Sequence, residues 1–174
     1  MPSYSNRKRL LHKIQWTYQV EGMNAFMFFG IMIFCILTFG FTDLIFFTYG
    51  ILFSCYILVQ GTYYWWLKYS SLKGEPIPQP RVLDRFRTFK TSDHIGILLI
   101  PVVLCLQWFI SGKQLNSSNL LGWALFANFF AVLEYINYYQ KQLMYDNRYD
   151  FRYLRLNRKL KEAPLSKDLI NNRI

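Results

Sequence analysis

Three side chains near the ends of apolar segments are candidate catalytic residues: Glu134 and His94, which can exchange protons, and Asn137, which can hydrogen-bond beside them. Glu134 interrupts an otherwise uncharged apolar run, and Asn137 follows it at i+3, which places both side chains on one face of a helix. An ionisable side chain at the centre of a bilayer costs at least ~2.5–3.5 kcal/mol on insertion scales, so such residues either pair or serve a function. One interpretation therefore makes Glu134 and His94 an acid and a base that open to the cytoplasm, with Asn137 beside them.

A second interpretation gives Glu134 a packing role, in which it pairs with Lys68, Lys141 or His94 and fixes how the helices meet. The sequence favours this interpretation because familiar catalytic motifs are missing. His12 and His94 are the only histidines, too few for a multi-histidine metal site, so we expect no metal. Neither a Gly-rich phosphate loop nor a nucleophile elbow occurs. No cofactor is identified, and an enzyme is the less favoured class.

Four long apolar blocks predict the elements that position these residues. They cover residues 23–41, 44–67, 94–110 and 120–139. Blocks of this length suffice to cross a hydrocarbon core of roughly 30 Å as helices. The first two blocks meet in the short stretch from Gly40 to Asp43, which allows a tight turn between antiparallel helices. We predict an all-α membrane protein with four transmembrane helices, arranged as two antiparallel hairpins, and a long amphipathic cytoplasmic C-terminal helix.

The basic residues predict the orientation of these spans. The chain has 20 Lys and Arg residues, and all except Lys113 fall in the N-terminal segment, the loop 68–93 or the C-terminal tail. The positive-inside rule places those segments, and both termini, in the cytoplasm of a multi-pass protein in a plasma or inner membrane. The predicted domains are a basic segment 1–20, a membrane domain 21–140 and a tail 141–174. The formal net charge of +10 then indicates anionic lipid headgroups rather than nucleic acid as the partner.

The loop 68–93 contains a short amphipathic pattern after a proline-rich stretch. Residues 74–80 alternate proline and are expected to be extended. In 81–90, an apolar helical face carries Val82, Leu83, Phe86 and Phe89, and the surrounding binding candidates are Arg81, Arg85 and Arg87. Two interpretations remain open: a short helix in the headgroup layer, or a surface helix packed on the protein's own tail.

The tail shows two stripes at helical spacing. The apolar stripe consists of Tyr145, Tyr149, Tyr153, Leu156 and Leu160, and the basic stripe consists of Arg148, Arg152, Arg155 and Lys159. Since no Gly or Pro lies between Gly122 and Pro164, the fourth span is expected to continue as one helix of about 40 residues, or to bend at the membrane surface. The stripes predict a binding surface for lipid, for the central loop or for another polypeptide.

Other side chains in the blocks are interpreted as packing or anchoring groups. Gln107 and Asn128 lie at comparable depth and are expected to hydrogen-bond to each other. An interfacial aromatic belt is predicted for Tyr63, Tyr64, Trp65, Trp66, Tyr135, Tyr138 and Tyr139.

These observations favour a non-catalytic integral membrane subunit or regulator that binds a partner protein, anionic lipid or both through its cytoplasmic loop and tail. One alternative is a small lipid-processing enzyme or lipid carrier with a polar site at the inner membrane interface. Another is a small oligomeric channel or transporter. The expected partners are the bilayer with its anionic headgroups, and a membrane protein or a second copy of the chain.

Overall fold

The computed structural model describes residues 4–115, 119–144 and 148–174, and within these ranges the chain is helical with no strand. The helices are α1 (Tyr4–Phe39), α2 (Ile45–Lys73), α3 (Gln79–Ile110), α4 (Leu121–Tyr139), α5 (Arg148–Asn157) and α6 (Pro164–Asn171). One 3-10 turn, Thr42–Leu44, lies between α1 and α2. The prediction of an all-α chain is confirmed.

Three segments have the length and apolar composition to cross a membrane: Arg7–Phe39, Thr42–Lys73 and Gln79–Ile110. This finding supports the predicted membrane class. α1 begins 19 residues before the predicted apolar block, because no Gly or Pro interrupts residues 3–21. α4 has 19 residues and carries Glu134, two asparagines and three tyrosines.

α2 is the central helix, since 72% of its apolar window is buried, against 11% for α1 and 17% for α3. α1 and α3 therefore present most of their apolar surface outward, as Leu37 does at 82% exposure, and lipid is the solvent that suits such faces. α1 runs along α2 in the opposite direction: Cys55 Sγ donates to the Ala25 carbonyl at 3.3 Å, and further along Tyr69 meets the ring of Tyr18.

Two glycines of α2 let α4 approach closely. A Cβ at Gly50 would lie 2.6 Å from Asn128 Nδ2, and a Cβ at Gly61 would overlap the Tyr138 hydroxyl. Real Cβ atoms do not tolerate such distances, so each contact requires glycine. Because both helices advance in the same direction between the two contacts, α2 and α4 run parallel to each other.

The side chains of Gln107 and Asn128 both hydrogen-bond to the backbone of Phe46 and not to each other. The predicted hydrogen bond between them is therefore wrong. Gln107 Oε1 accepts from the Phe46 amide at 3.1 Å, and Gln107 Nε2 donates to the Thr42 carbonyl at 3.2 Å. Asn128 Nδ2 donates to the Phe46 carbonyl at 3.1 Å. The Phe46 amide lies in the first turn of α2, where backbone N–H groups lack a partner within the helix. That unmet donor explains why Gln107 turns toward α2.

The stretch 81–90 forms the first part of α3 and is not a separate helix in the headgroup layer. Its apolar face is buried, since Val82 and Leu83 are each 4% exposed and Phe86 is fully buried. These side chains share one core cluster with Tyr64 of α2 and Leu165 of α6. Of the two interpretations left open by the sequence, packing on the protein's own tail is therefore the observed one.

The tail does not continue α4, so the prediction of one helix of about 40 residues is wrong. Gln140 leaves the helical conformation with φ −131° and ψ −74°. Backbone hydrogen bonds from Gln142 N to Lys161 O (2.8 Å) and from Ala163 N to Gln140 O (3.2 Å) then join the two ends of residues 141–162. We call this segment the tail loop; it contains α5, and α6 follows it.

α6 docks on the end of the bundle where α2 ends and α3 begins. Asp168 Oδ2 accepts from the Tyr64 hydroxyl at 2.7 Å and pairs with Lys68 Nζ at 2.7 Å. The Gln79 side chain bonds both backbone groups of Ile174, accepting at 2.8 Å and donating at 3.3 Å. We call this end, which also holds the start of α1 and the end of α4, the basic end. These contacts offset the free-energy cost of ending the helix at Gln140, and the tail therefore reverses direction there.

The predicted aromatic belt is wrong for four tyrosines at the basic end. Tyr64 is fully buried, Tyr135 and Tyr139 are each 2% exposed, and Tyr138 is 5% exposed. They lie in the core because α3 and the tail cover that end of the bundle. Trp66, at 46% exposure, does present its ring to the surroundings, as the belt requires.

Candidate functional site

A cavity of about 270 Å³ lies at the basic end, between α1, α2, α4 and the tail. Most of its lining is apolar, and Leu10 and Met144 at its rim are 46% and 64% exposed. The other side chains that matter chemically are Lys13, Ile14, Thr17, Glu21, Trp65, Asn137, Tyr138, Gln142 and Leu165. The cavity thus combines apolar walls with one cation and one carboxylate.

Glu21 is the carboxylate of this cavity, and it was not among the predicted site residues. The Tyr138 and Trp65 side chains interact with it, yet its Oε2 atom is buried without a well-formed hydrogen bond to any described residue. Gly61 leaves the room for this arrangement, since a Cβ there would lie 2.7 Å from Glu21 Oε2. Its position two residues before the first apolar block was the sequence signal that pointed to it.

Glu134 and Asn137 lie together, as their i+3 spacing predicts. The Asn137 side chain hydrogen-bonds to Glu134, and Asn137 Oδ1 accepts from the Leu143 amide at 2.9 Å. Of the three partners predicted for Glu134, Lys68 pairs with Asp168 instead, and no ion pair joins Glu134 to Lys141 or His94 in the described part of the chain, so the predicted ion pair is wrong there. The charged side chain that interacts with Glu134 is Glu21, so two carboxylates from α4 and α1 are neighbours.

His94 lies on α3 beside Tyr135 of α4. The Tyr135 hydroxyl and His94 Nε2 are 2.8 Å apart, and the two rings meet edge to face with centroids 5.1 Å apart. His94 is exposed, whereas Tyr135 is buried. The described contacts therefore join His94 to a tyrosine, while Glu134 bonds Asn137; an acid and base function for this pair stays a prediction.

A chain of hydrogen bonds ending at Asp93 links three helices at the same end. The Tyr139 hydroxyl donates to Gln60 Oε1 at 2.7 Å, and Gln60 Nε2 donates to Asp93 Oδ1 at 2.9 Å. Asp93 is fully buried, and its Oδ2 atom has no hydrogen-bond partner among the described residues. This chain fixes the rotation of α2, α3 and α4 relative to each other, because each amide atom of Gln60 has a defined partner.

The predicted binding residues of the tail lie in and after α5, outside the core. Arg152, Arg155 and Lys159 are exposed, as are Leu156 at 72% and Leu160 at 42%, whereas Tyr153 is partly buried. Leu160 and Lys159 follow the end of α5, so the two stripes are not continuous on one helix. Tyr145 and the side chains of Arg148 and Tyr149 lie outside the described residues.

The predicted arginines of α3 are exposed, but two of them already have partners in the chain. Arg85 donates to the Tyr63 hydroxyl at 3.1 Å, and Arg87 bonds both Asp84 at 2.8 Å and Asn172 at 2.6 Å. Arg81 is exposed. The exposed cations Arg152, Arg155 and Lys159 of the tail loop form no ion pair with another described residue.

Across the part of the chain that the structure describes, no three His, Cys, Asp or Glu side chains are grouped as a metal site would require. No family model matches the chain. No curated protein and no solved structure shows significant similarity to it.

Proposed function

We propose that this chain is a non-catalytic integral membrane subunit or regulator whose tail loop binds the anionic headgroups of the membrane that holds it. In this proposal α4 is a fourth span, the four spans form two antiparallel hairpins, and the basic end lies in the cytoplasm. The packing directions support this arrangement, since α1 opposes α2 while α2 and α4 run parallel. The segments that carry 19 of the 20 basic residues belong to the basic end.

The observation that carries the proposal is the exposed surface of the tail loop. Arg155, Arg158 and Lys159 are exposed within five residues, next to the exposed side chains of Leu156 and Leu160. α5 makes no extensive contact with any other described helix. Cations interspersed with exposed leucines are typical of segments that lie in a headgroup layer, where the apolar side chains enter the acyl boundary.

A lipid surface fits the tail loop better than a soluble partner does. The loop is joined at both ends to the end of α4 by the bonds at Gln140 and Gln142, which keeps it where the proposed span leaves the bilayer. The amphipathic face of α3, the other candidate surface, is covered by α6. Each Lys or Arg near an anionic leaflet contributes about 1 kcal/mol, so three of them together contribute about 3 kcal/mol.

The test places an environment-sensitive fluorophore on the tail loop of the full-length protein. A Leu156→Cys variant, with Cys35, Cys55 and Cys105 replaced by alanine, is labelled and reconstituted in vesicles. We expect the emission to shift to the blue in vesicles that contain phosphatidylglycerol, relative to phosphatidylcholine alone, and the shift to be reversed by high salt.

The charge requirement is tested with two matched triple variants. Replacing Arg155, Arg158 and Lys159 by glutamine is expected to abolish the shift. Replacing Arg9, Lys73 and Arg81 by glutamine removes the same charge from other exposed positions and is expected to preserve it. An emission spectrum that is the same with and without phosphatidylglycerol would refute the proposal and favour a protein partner for the tail loop. Equal effects of the two triple variants would do the same.

A further inference from the structure

A second cavity, of about 360 Å³, lies between α1, α2 and α4 toward the end of the bundle away from the basic end. Phe47 and Ile51 of α2 form its floor, while α1 and α4 form its two walls. Both wall helices pack on α2 but make no extensive contact with each other in the described part of the chain. The cavity is therefore a slot between two helices, and we call it the apolar slot.

The lining of the apolar slot offers nothing to a polar ligand. None of its described side chains is charged, and its one hydroxyl, that of Ser54, already lies 2.9 Å from the Gly50 carbonyl and 3.2 Å from the Ala127 carbonyl. A buried water needs two to four polar partners, which this lining does not supply. The slot therefore excludes water and suits an apolar occupant.

The walls of the slot are open to the surroundings and carry large side chains. Ile31 of α1 is 44% exposed, and Trp123 and Phe126 of α4 are 66% and 57% exposed. Helices that pack together in a membrane meet through small residues, so these rings do not suit another helix. One turn of a helix with its side chains, about 10 Å across and 5.4 Å high, also fills about 420 Å³, which exceeds the volume of the slot.

The length of the slot matches one leaflet of a bilayer. The slot extends along α4 from Leu120 to Phe130, a rise of about 15 Å at 1.5 Å per residue. A hydrocarbon core is roughly 30 Å thick, so in the proposed arrangement the slot begins at one interface and ends near the middle of the membrane. At that inner end the rings of Phe28 and Phe130 meet edge to face, with centroids 5.6 Å apart.

We propose that the apolar slot binds one acyl chain of a membrane phospholipid from the leaflet opposite the basic end, an inference that rests on the spanning α4 of the proposed function. The headgroup lies at the level of Leu120, and the end of the chain lies near Phe28 and Phe130. The chain supplies the van der Waals contacts that the walls of an empty slot would lack. Because the described lining carries no charge, the slot holds the chain irrespective of the charge of the headgroup.

The test counts the lipid that stays on the full-length protein. The protein is placed in nanodiscs made of phosphatidylcholine and released in a native mass spectrometer, where loosely held lipids dissociate first. We expect one phosphatidylcholine molecule to remain on each chain. Ile31→Trp places an indole in the slot and is expected to lower this retention about tenfold or more. Ile33→Trp is the matched control, because Ile33 is 43% exposed on the same helix but does not line the slot, and it is expected to keep the lipid.

A second pair of variants fills the slot from another point. Cys35→Phe is expected to lower retention as well, whereas Cys105→Phe, at an exposed cysteine of α3, is expected to preserve it. Absence of retained lipid on the unmodified protein, or unchanged retention in both slot variants, would overturn the inference. Displacement of the phospholipid by an equimolar isoprenoid alcohol, or a second copy of the chain in place of the lipid, would also overturn it.

A labelling experiment separates failure of this inference from failure of the proposed function. Phe129 is 60% exposed on α4 and does not line the slot. In a Phe129→Cys variant with the three native cysteines replaced by alanine, we expect the bilayer of a vesicle to shield the thiol from a charged maleimide. Reaction of this thiol would refute the spanning α4 and both proposals with it. A shielded thiol together with loss of lipid retention would refute the acyl-chain site alone.

Discussion

Asp168 is the residue on which docking of α6 most depends, and its replacement by asparagine is the sharpest test of the fold. One oxygen, Oδ2, accepts from the Tyr64 hydroxyl and pairs with Lys68, each at 2.7 Å. The side chains of Asp168 and Lys68 are 16% and 26% exposed, so the pair is neither at the surface nor fully buried. Exposed pairs contribute about 0–1 kcal/mol and breaking buried pairs costs about 3–5 kcal/mol. We therefore expect Asp168→Asn to cost the docked tail about 2–3 kcal/mol.

Hydrogen exchange of the α6 backbone measures this cost directly. The Lys167 and Arg173 amides donate to the Ala163 and Asp168 carbonyls, so their exchange reports opening of α6. A loss of about 2–3 kcal/mol corresponds to exchange that is about 30- to 150-fold faster, while α2 keeps its protection. Asp43→Asn is the matched control, because Asp43 is exposed in the turn between α1 and α2, at the other end of α2 from α6.

The control is expected to leave α6 exchange unchanged, since Asp43 lies far from α6 and its side chain is exposed. A double variant that adds Lys68→Met to Asp168→Asn should cost less than the sum of the two single changes, because the two residues share one interaction. If α6 of Asp168→Asn exchanges at the original rate in a protein that remains folded, the docking described for the tail is incorrect.

Three further changes test the interior of the bundle by thermal unfolding in detergent. Gly61→Ala should destabilise the protein by about 1–3 kcal/mol through overpacking and so lower the unfolding midpoint. Gly30→Ala places its methyl group in open space and should leave the midpoint unchanged. Equal midpoints for the two variants would contradict the close approach of α2 and α4. Tyr139→Phe leaves the buried Gln60 Oε1 without its donor and should cost about 1–2 kcal/mol, unlike Tyr56→Phe at a partly exposed hydroxyl. Gln107→Leu should destabilise by about 1–3 kcal/mol, because the first turn of α2 loses the acceptor of a buried amide.

The long apolar helices could be predicted because their signal is local. The run 23–41 is uncharged, and Gly40, at φ +86°, ends α1 where the sequence suggests a turn. The pair Glu134 and Asn137 was equally accessible, since i+3 spacing alone places the two side chains on one face. The early start of α1 was accessible as well, because nothing in residues 3–21 opposes a helix.

The reversal of the tail and the contact between Glu134 and Glu21 could not be predicted, because both depend on contacts between residues far apart in the chain. Nothing in the sequence around Gln140 breaks a helix; the chain turns there since Asp168 finds Tyr64 and Lys68, about one hundred residues away. Because Lys68 pairs with Asp168, one of the three partners that the sequence suggested for Glu134 is engaged elsewhere. Local propensity was overridden by tertiary packing at this point.

Closure of the basic end by its own tail also determines which surface is left to bind a ligand. Had the tail been a straight continuation of α4, its stripes would point away from the bilayer, and lipid would reach few of its cations. The hydrogen bonds at Gln140 and Gln142 instead hold both ends of the tail loop beside the end of α4. A tethered segment loses little translational freedom on binding, so in our proposal a few cations and leucines are enough to hold the tail loop on the surface next to it. The same fold that buries the apolar face of α3 leaves the cations in and after α5 exposed.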